Sequence, residues 1–138
     1  MVKTVAFFRG KTGLSREEFA NHYEMVHVPL AMKHLPNMKG YVRNHIPASF
    51  EINDLEFDCI SEFWYENMDE FQKVIAYLRS DSSQAIHDDE DTFMDRTKSV
   101  FFFVDERTSK TKDLANPWEI KINNTAKMMV LAKRKSDI

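Results

Sequence analysis

The stretch Phe19-Ala-Asn-His-Tyr-Glu-Met-Val-His-Val-Pro-Leu30 places two histidines on one amphipathic helix. Apolar side chains recur in it at the spacing of a single helical face, which predicts a stripe packed against a core. The members of this stripe are Phe19, Tyr23, Val26 and Leu30. His27 lies on the flank of the stripe and shares a face with Tyr23. His22 is about 140° from His27 around a regular helix, so both imidazoles are expected in one pocket only if the helix is distorted.

This helix is predicted over residues 16–34. Ser15 followed by Glu18 forms the pattern of a capping box at its start. Pro29 has no backbone N–H, so it deprives the Met25 carbonyl of its usual donor and is expected to kink or loosen the helix just past His27. The spacing of the two histidines argues against a helical metal site of the i, i+4 kind, and no metal is expected.

The composition is that of an ordinary soluble domain, with 43% hydrophobic and 30% charged residues in a chain of 138. The net charge of −3 gives no general reason to expect a nucleic acid or an anionic membrane as partner. Cys59 is the single cysteine, which excludes an intramolecular disulfide and a cysteine-rich metal site. We expect a cytoplasmic protein, because the start lacks a long apolar run and no segment approaches transmembrane length.

Four strands are predicted around this helix from alternating, β-branched and aromatic residues. They cover Val2–Phe8 and residues 38–46, 56–65 and 99–105. Two more helices precede the last strand: one begins at Asn67 with Glu70 three residues on, and the other carries Ile86, Asp89 and Phe93 on one face. The order β-α-β-β-α-α-β predicts an α+β, ferredoxin-like split βαβ fold. Its four-stranded antiparallel sheet has helices on one side.

The last strand is apolar on both faces and needs cover on both sides. We therefore expect a homodimer in which the bare faces of two sheets pack together into a barrel. Alternation along the second strand places Asn44 with Val42 on the helix side, and Tyr41 with His45 on the dimer side. An amide on the helix side can hold a substrate carbonyl or a developing enolate, and a satisfied buried amide is the alternative.

The tail, residues 108–138, differs from the body in charge. It holds seven Lys and Arg against three Asp and Glu, a net charge of +4 that leaves −7 for residues 1–107. Residues 126–132 are predicted as an extra strand, with Trp118 as an anchor. We expect this basic extension to pack on the body or on the dimer partner. Nucleic-acid binding is the weaker alternative for so few dispersed charges.

Several motifs in the predicted elements carry a resemblance to a known family. They are Gly13-Leu-Ser-Arg-Glu-Glu-Phe19, His22-Tyr-Glu-Met-Val-His-Val-Pro-Leu30, Tyr41-Val-Arg-Asn44, Glu62-Phe-Trp-Tyr65, Asp89-Glu-Asp-Thr-Phe-Met-Asp95 and Phe101-Phe-Phe-Val-Asp-Glu106. Over about the first 107 residues the sequence resembles the EthD-like family of the dimeric α+β barrel superfamily. The resemblance implies that fold and a dimer. The family includes polyketide cyclases, decarboxylases or dehydratases, lactone isomerases, and members without known activity.

His27 matches the family position that lines the cleft between helix and sheet, so it is the first candidate for a general acid/base. The alternative is a histidine that only bonds a carbonyl freed by Pro29. His22 is expected to be a partly exposed structural histidine or a substrate contact. Asp89 is the second catalytic candidate, since a carboxylate on an apolar stripe can orient His27 or exchange a proton with it. Its alternative is to cap an element or pair with Arg96.

The resemblance and these residues together favour a cofactor-independent lyase, cyclase or isomerase. Its substrate is expected to be a small aromatic, polyketide-like or lactone molecule, changed by dehydration, decarboxylation, ring closure or isomerisation. Tyr23, Phe63 and Phe93 are expected to form the substrate-binding walls. The alternative is a non-catalytic, small-ligand-binding or stress-associated dimer. A haem-dependent oxygenase, as known elsewhere in the superfamily, is a third and weaker alternative.

Overall fold

The computed structural model describes residues 1–48, 55–109, 127–132 and 134–135. In chain order the elements are β1 (Val2–Phe8), α1 (Arg16–His22), a π-helical turn (Tyr23–His27), α2 (Val28–His34), β2 (Gly40–His45), β3 (Cys59–Tyr65), α3 (Met68–Leu78), a 3₁₀ turn (Asp81–Ser83), α4 (Gln84–Phe93) and β4 (Val100–Val104). The predicted order is confirmed, and three of the strands are shorter than predicted. Among the described residues, no helix has the length and apolar character needed to cross a membrane.

The four strands form one antiparallel sheet in the order β2-β3-β1-β4. This is the predicted ferredoxin-like α+β arrangement. Both predicted helix starts are present: Ser15 and Glu18 close a full capping box on α1, and the Asn67 side chain accepts from the Glu70 N–H at the start of α3. Local capping therefore fixes where these two helices begin.

One face of the sheet packs under the helices, and the strand register decides which residues of β2 share it. Cys59 and Tyr65 of β3 belong to the two buried clusters beneath the helices. In the register, Tyr41 pairs with Phe63 and His45 with Cys59. Tyr41 and His45 are therefore on the helix side, and the prediction that placed them on the dimer side is wrong.

Asn44 lies on the outer face of the sheet, which corrects the prediction that it faces the helices. It pairs with Ile60, one residue out of phase with Cys59. Its side-chain amide donates to the Ile60 carbonyl at 2.8 Å and to Glu62 Oε2 at 2.9 Å. Because both faces of β2 mix polar and apolar residues, only the pairing with β3 settles the register.

The first helix contains an irregular turn that the sequence pattern did not locate. The Val28 N–H donates to the Tyr23 carbonyl, five residues back, as a π turn requires. This extra residue per turn changes the buried face, so Val26 is 47% exposed while His27 is 5% exposed. The predicted position of Val26 in the apolar stripe is therefore wrong. Pro29 sits in the first turn of α2, and the irregularity precedes it rather than following His27.

The outer face of the sheet was predicted to be bare within one chain, but several side chains and part of the tail cover it. Trp64 is 1% exposed, its indole N–H donates to Glu106, and the Lys3 ammonium lies 4.3 Å from its ring centroid. Lys127 of the tail bonds Glu62, and residues 129–132 line an open groove with β1 and β4. Residues 127–132 form no strand, contrary to prediction. Residues 126 and 118 lie outside the described residues.

Candidate active site

The Asp89 carboxylate joins the two histidines of the first helix. His22 Nε2 lies 2.8 Å from Asp89 Oδ1, and His27 Nδ1 lies 2.8 Å from Asp89 Oδ2. The side chains of His27 and Asp89 are 7% and 12% exposed, and that of His22 is 30% exposed. Arg96, the alternative partner considered for Asp89, pairs with Glu90 and Asp91 instead.

The π turn makes this convergence possible. In a regular helix, residues five apart point in different directions, but one π turn brings such residues onto the same face. His22 and His27 flank the turn at this spacing. The distortion that the sequence required for two converging imidazoles is therefore present. Single π turns inside α-helices occur frequently at functional sites.

The hydrogen bonds to Asp89 define the proton positions on His27. An ionised carboxylate only accepts hydrogen bonds, so each imidazole donates to it. His27 then carries its proton on Nδ1, and Nε2 keeps a lone pair. Within the described part of the chain, His27 Nε2 has no hydrogen-bond partner. Asp89 thus orients an imidazole whose basic nitrogen is unoccupied.

His27 lines a cavity of about 260 Å³ between the first helix, α3 and the sheet. The walls are mainly apolar and include Phe63, Tyr65 and Phe101 from the strands. Tyr23, Tyr41 and Glu90 add hydroxyl and carboxylate groups. The cavity is slightly smaller than typical ligand sites, which occupy about 300–1,000 Å³. It therefore suits a small and largely apolar molecule.

A row of hydroxyl groups lies beside this cavity, where the first helix meets the sheet. The Tyr23 hydroxyl is 2.7 Å from that of Tyr41 and 3.0 Å from that of Ser61. Burial raises the pKa of Tyr23 and of Tyr41 above the usual tyrosine value. Both phenols therefore stay protonated at neutral pH and can act as donors.

An ion pair supports Tyr41 from outside the cavity. Arg43 Nε and Nη2 donate to the two oxygens of Glu24 at 3.0 and 2.8 Å, and the guanidinium lies 4.7 Å from the Tyr41 ring centroid. Burial tends to raise the pKa of Glu24, but the hydrogen bonds from Arg43 and His45 outweigh it and lower that pKa. Glu24 therefore stays ionised and holds Arg43 against the Tyr41 ring.

The structure brings together most, but not all, of the predicted site residues. His27, Tyr23 and Phe63 line the cavity, and Asp89 bonds His27. His22 and Phe93 are not cavity residues. His22 holds the other oxygen of Asp89, and the Phe93 ring packs behind both imidazoles, with centroids 4.5 Å from His22 and 5.2 Å from His27.

Asn44 is on the opposite side of the sheet and takes no part in the cavity. Sequence reasoning missed Tyr41, Ser61 and Glu90. Tyr41 and Ser61 lie on the strand faces that carry Phe63 and Cys59, so a correct register for β2 and β3 was the signal that could have identified them. Across the described ranges, no group of three or more His, Cys, Asp and Glu residues is arranged to hold a metal ion.

A sequence model of the EthD domain matches residues 11–97, which is more than half of the chain. The chain belongs to the EthD domain family. The match includes the whole His22, His27 and Asp89 constellation of this EthD protein. No curated protein sequence is similar enough to count as a match.

Solved structures share the fold of this EthD protein at low sequence identity. An ethyl tert-butyl ether D (EthD) family protein from Bacillus halodurans C-125 is 18% identical, with a TM-score of 0.55 over 78% of this chain and 100% of that one. A dimeric protein of ferredoxin-like fold from Bacteroides fragilis is 9% identical, with a TM-score of 0.51 over 76% of this chain and 95% of that one. A hydroxynitrile lyase from Passiflora edulis is 14% identical, with a TM-score of 0.52 over 78% of this chain and 96% of that one. These likenesses show the fold, and the fold hosts at least one enzyme.

Proposed function

We propose that this EthD protein is a cofactor-independent lyase, cyclase or isomerase that moves protons on a small aromatic, polyketide-like or lactone substrate. The observation that carries the proposal is the state of His27. Its Nδ1 is fixed by Asp89 at 2.8 Å, while its Nε2 has no partner among the described residues and the ring borders an apolar cavity. A base with this geometry is ready to accept a proton from a bound molecule.

Three of the candidate reactions, dehydration, ring closure and isomerisation, share a first step, the removal of a proton from the carbon next to a carbonyl. His27 Nε2 takes that proton, and the electron pair of the C–H bond moves onto the carbonyl oxygen as an enolate. The imidazolium then returns the proton to a leaving hydroxide, which departs as water, or to another carbon of the substrate. In ring closure the enolate carbon adds to a second carbonyl, and the imidazolium protonates the alkoxide that forms. Asp89 stabilises the imidazolium between the two steps. A decarboxylation reaches the same kind of enolate by loss of carbon dioxide, and His27 would then supply the proton to carbon.

The surroundings of His27 support this role. Its imidazole packs between the rings of Tyr23 and Phe93, with centroids 5.4 and 5.2 Å away. Electrostatic interactions are stronger in such a low-dielectric setting than in water, so Asp89 attracts the His27 imidazolium more strongly there. The hydroxynitrile lyase of the same fold supports a catalytic role. Because its sequence identity is low, the substrate class is inferred from the residues of this cavity and not from that enzyme.

Deuterium exchange tests the proposal with simple carbonyl compounds that stand in for the natural substrate. Three probes cover the substrate classes: 1-tetralone for aryl ketones, benzoylacetone for polyketide-like diketones, and α-angelica lactone for lactones. In D₂O, proton NMR follows the loss of the C–H signal next to each carbonyl. We expect the protein to accelerate exchange of at least one probe. His27→Gln, which keeps a hydrogen-bonding group but cannot shuttle a proton, should slow it by about 10²–10⁴-fold.

Two outcomes would contradict the proposed activity. One is exchange of a probe at the same rate in the wild-type protein and the His27→Gln variant. The other is tight binding of the probes with no exchange above the buffer rate. The second result would favour the alternative, a dimer that binds a small ligand without converting it.

We also propose that the protein is a homodimer built on residues 1–107, with residues 108–138 as a basic extension that packs on the body or on the dimer partner. Four consecutive apolar residues of β4 are 37–52% exposed, on both faces of an edge strand, and such a surface needs cover. A protein of the same fold is described as dimeric. Analytical ultracentrifugation at micromolar concentration should give twice the chain mass of 16.3 kDa. A stable monomer would contradict the dimer.

A further inference from the structure

A chain of four polar groups runs between the first helix and the helix-facing side of the sheet and ends at the cavity. Cys59 Sγ lies 3.6 Å from Ser61 Oγ, Ser61 Oγ lies 3.0 Å from the Tyr23 hydroxyl, and that hydroxyl lies 2.7 Å from the Tyr41 hydroxyl. Cys59, Ser61 and Tyr23 are each 0% exposed. Only Tyr23 and Tyr41 border the cavity. Neither the proton transfer at His27 nor the packing of the sheet requires such a row.

Each of the four groups carries one hydrogen, and three links join them. Burial raises the pKa of the Cys59 thiol to about 12 and also raises the pKa values of Tyr23 and Tyr41, so all four groups keep their hydrogens at neutral pH. If every group donates toward the cavity, the three links use three hydrogens and the O–H of Tyr41 is left over. If the row runs the other way, the spare hydrogen is the buried thiol of Cys59.

The first direction places the spare donor where a ligand can accept it. The opposite direction leaves a buried S–H without an acceptor and presents only a lone pair to the cavity. Arg43 favours the first direction further, because its positive charge 4.7 Å from the Tyr41 ring draws electron density from the phenol and strengthens the hydroxyl as a donor. The ion pair with Glu24 fixes Arg43 in that place.

We propose that the Tyr41 hydroxyl donates a hydrogen bond to a carbonyl or enolate oxygen of the substrate, and that Tyr23 and Ser61 set its direction. This inference rests on the proposed function in one respect, that the substrate binds in the cavity beside His27. It does not require that the substrate is converted. It gives Tyr41 the role that the sequence predicted for Asn44. A Tyr41 donor would favour, among small apolar ring compounds, those that carry a carbonyl oxygen on the ring or next to it.

A pair of planar probes of the same shape tests this inference. Acetophenone and α-methylstyrene differ in one group, a carbonyl oxygen in place of a methylene. We expect the wild-type protein to bind acetophenone about 2- to 10-fold more tightly, which corresponds to one net hydrogen bond. Tyr41→Phe keeps the ring that stacks on Phe63 at 4.7 Å and should lose or reverse this preference, because the carbonyl oxygen is then desolvated without a donor.

Infrared spectroscopy of carbonyl-labelled acetophenone gives a second and more direct signal. A hydrogen bond from Tyr41 should lower the carbonyl stretching frequency in the wild-type complex. Tyr41→Phe should return the frequency to that of acetophenone in an apolar solvent, and Ser61→Ala should give a smaller shift than wild type. Tyr77→Phe is the matched control, because its hydroxyl bonds His34 and the Ser82 carbonyl away from the cavity. It should leave both the shift and the affinities unchanged.

The outcomes separate this inference from the proposed activity. A lowered carbonyl frequency that persists in Tyr41→Phe would overturn it, and so would equal or undetectable wild-type binding of the two probes at millimolar concentration. If the shift depends on Tyr41 while no ketone or lactone exchanges its proton, then carbonyl recognition stands and the acid/base activity fails. If exchange depends on His27 while Tyr41→Phe has no effect on binding or frequency, the activity stands and this inference fails.

Discussion

Glu62 on the outer face of the sheet and Asp89 of α4 on the helix side are two largely buried carboxylates with different partners. On the outer face, Glu62 bonds Lys3 at 2.7 Å and also bonds Lys127 and Asn44. On the helix face, Asp89 bonds two imidazoles, one of which has a nitrogen without a partner among the described residues, beside a cavity. A buried charge that is fully paired contributes to structure. A histidine and carboxylate pair that leaves one nitrogen unoccupied and lies beside a cavity is suited to chemistry.

The largest effect is expected from Asp89→Asn. His22 and His27 bond different oxygens of Asp89, and the substituted amide keeps an acceptor at only one of these two positions. Its NH₂ group at the other position favours the wrong tautomer of that imidazole. The exchange rate measured with the responsive probe should fall by about 10²–10⁴-fold. Urea unfolding should show that the fold is retained.

Asp88→Asn is the matched control for this change. Asp88 is the preceding residue of α4, is exposed, and accepts from Gln84 rather than from a histidine. Its rate should equal that of the wild type. Equal rates in wild type and Asp89→Asn would show that Asp89 does not orient the base.

Glu62→Gln should have the opposite profile, with a loss of stability and little loss of rate. Glu62 and Lys3 have side chains 5% and 10% exposed, so the variant leaves a buried ammonium with one partner fewer. We expect the free energy of unfolding to fall by about 2 kcal/mol, less than a fully orphaned buried charge costs, because Lys3 keeps Glu106. Glu66→Gln, which alters an exposed pair with Lys39, should change it by less than about 0.5 kcal/mol.

The pH dependence of that stability loss adds a sharper test. Burial tends to raise the pKa of Glu62, but the hydrogen bonds from Lys127, Lys3 and Asn44 outweigh it and hold the pKa below the ordinary 4.5. A lowered native pKa stabilises the fold above the unfolded value, and this stabilisation disappears as the pH falls through the native value. The difference between wild type and Glu62→Gln should therefore be constant near neutral pH and shrink below about pH 4.5. A difference independent of pH would contradict the ion-pair explanation.

The smallest effect is expected from His22→Asn. His22 is 30% exposed in its side chain and holds the Asp89 oxygen that faces away from His27. Water can replace its hydrogen bond in part, so the exchange rate should fall by about 2- to 10-fold. His34→Asn, which alters a histidine bonded to Tyr77 outside the cavity, should have no effect on rate. A loss as large as that of Asp89→Asn would mean that His22 takes part in the proton transfer itself.

The sequence predicted the fold well because local signals decide most of it. Ser15 with Glu18 and Asn67 with Glu70 mark the starts of two helices, and both caps are formed. The strands follow from runs of β-branched and aromatic residues. The register of β2 was harder, because Val42 and Asn44 alternate with Tyr41 and Arg43, and neither face is plainly apolar. Pairing with β3, a long-range interaction, selects the register.

The site was predicted in part, for a similar reason. His27 and Asp89 stood out as polar residues beside apolar stripes, and they meet. Their geometry depends on the π turn, whose helical periodicity differs from the one assumed in reading the sequence. Two histidines five residues apart, followed within one turn by Pro29, constituted a usable signal for it. Tyr41 was assigned to the wrong face of the sheet only because the register of β2 was predicted incorrectly.

The tautomer of His27 is the property from which the proposed chemistry follows, and nitrogen-15 NMR of the histidine rings measures it directly. With Asp89 ionised and accepting at 2.8 Å, Nδ1 should carry the proton of the neutral ring and Nε2 should give the signal of an unprotonated nitrogen. Asp89→Asn should weaken or reverse this preference. A neutral His27 protonated on Nε2 in the wild-type protein would contradict the assignment, because Nε2 would then have no lone pair with which to take a proton.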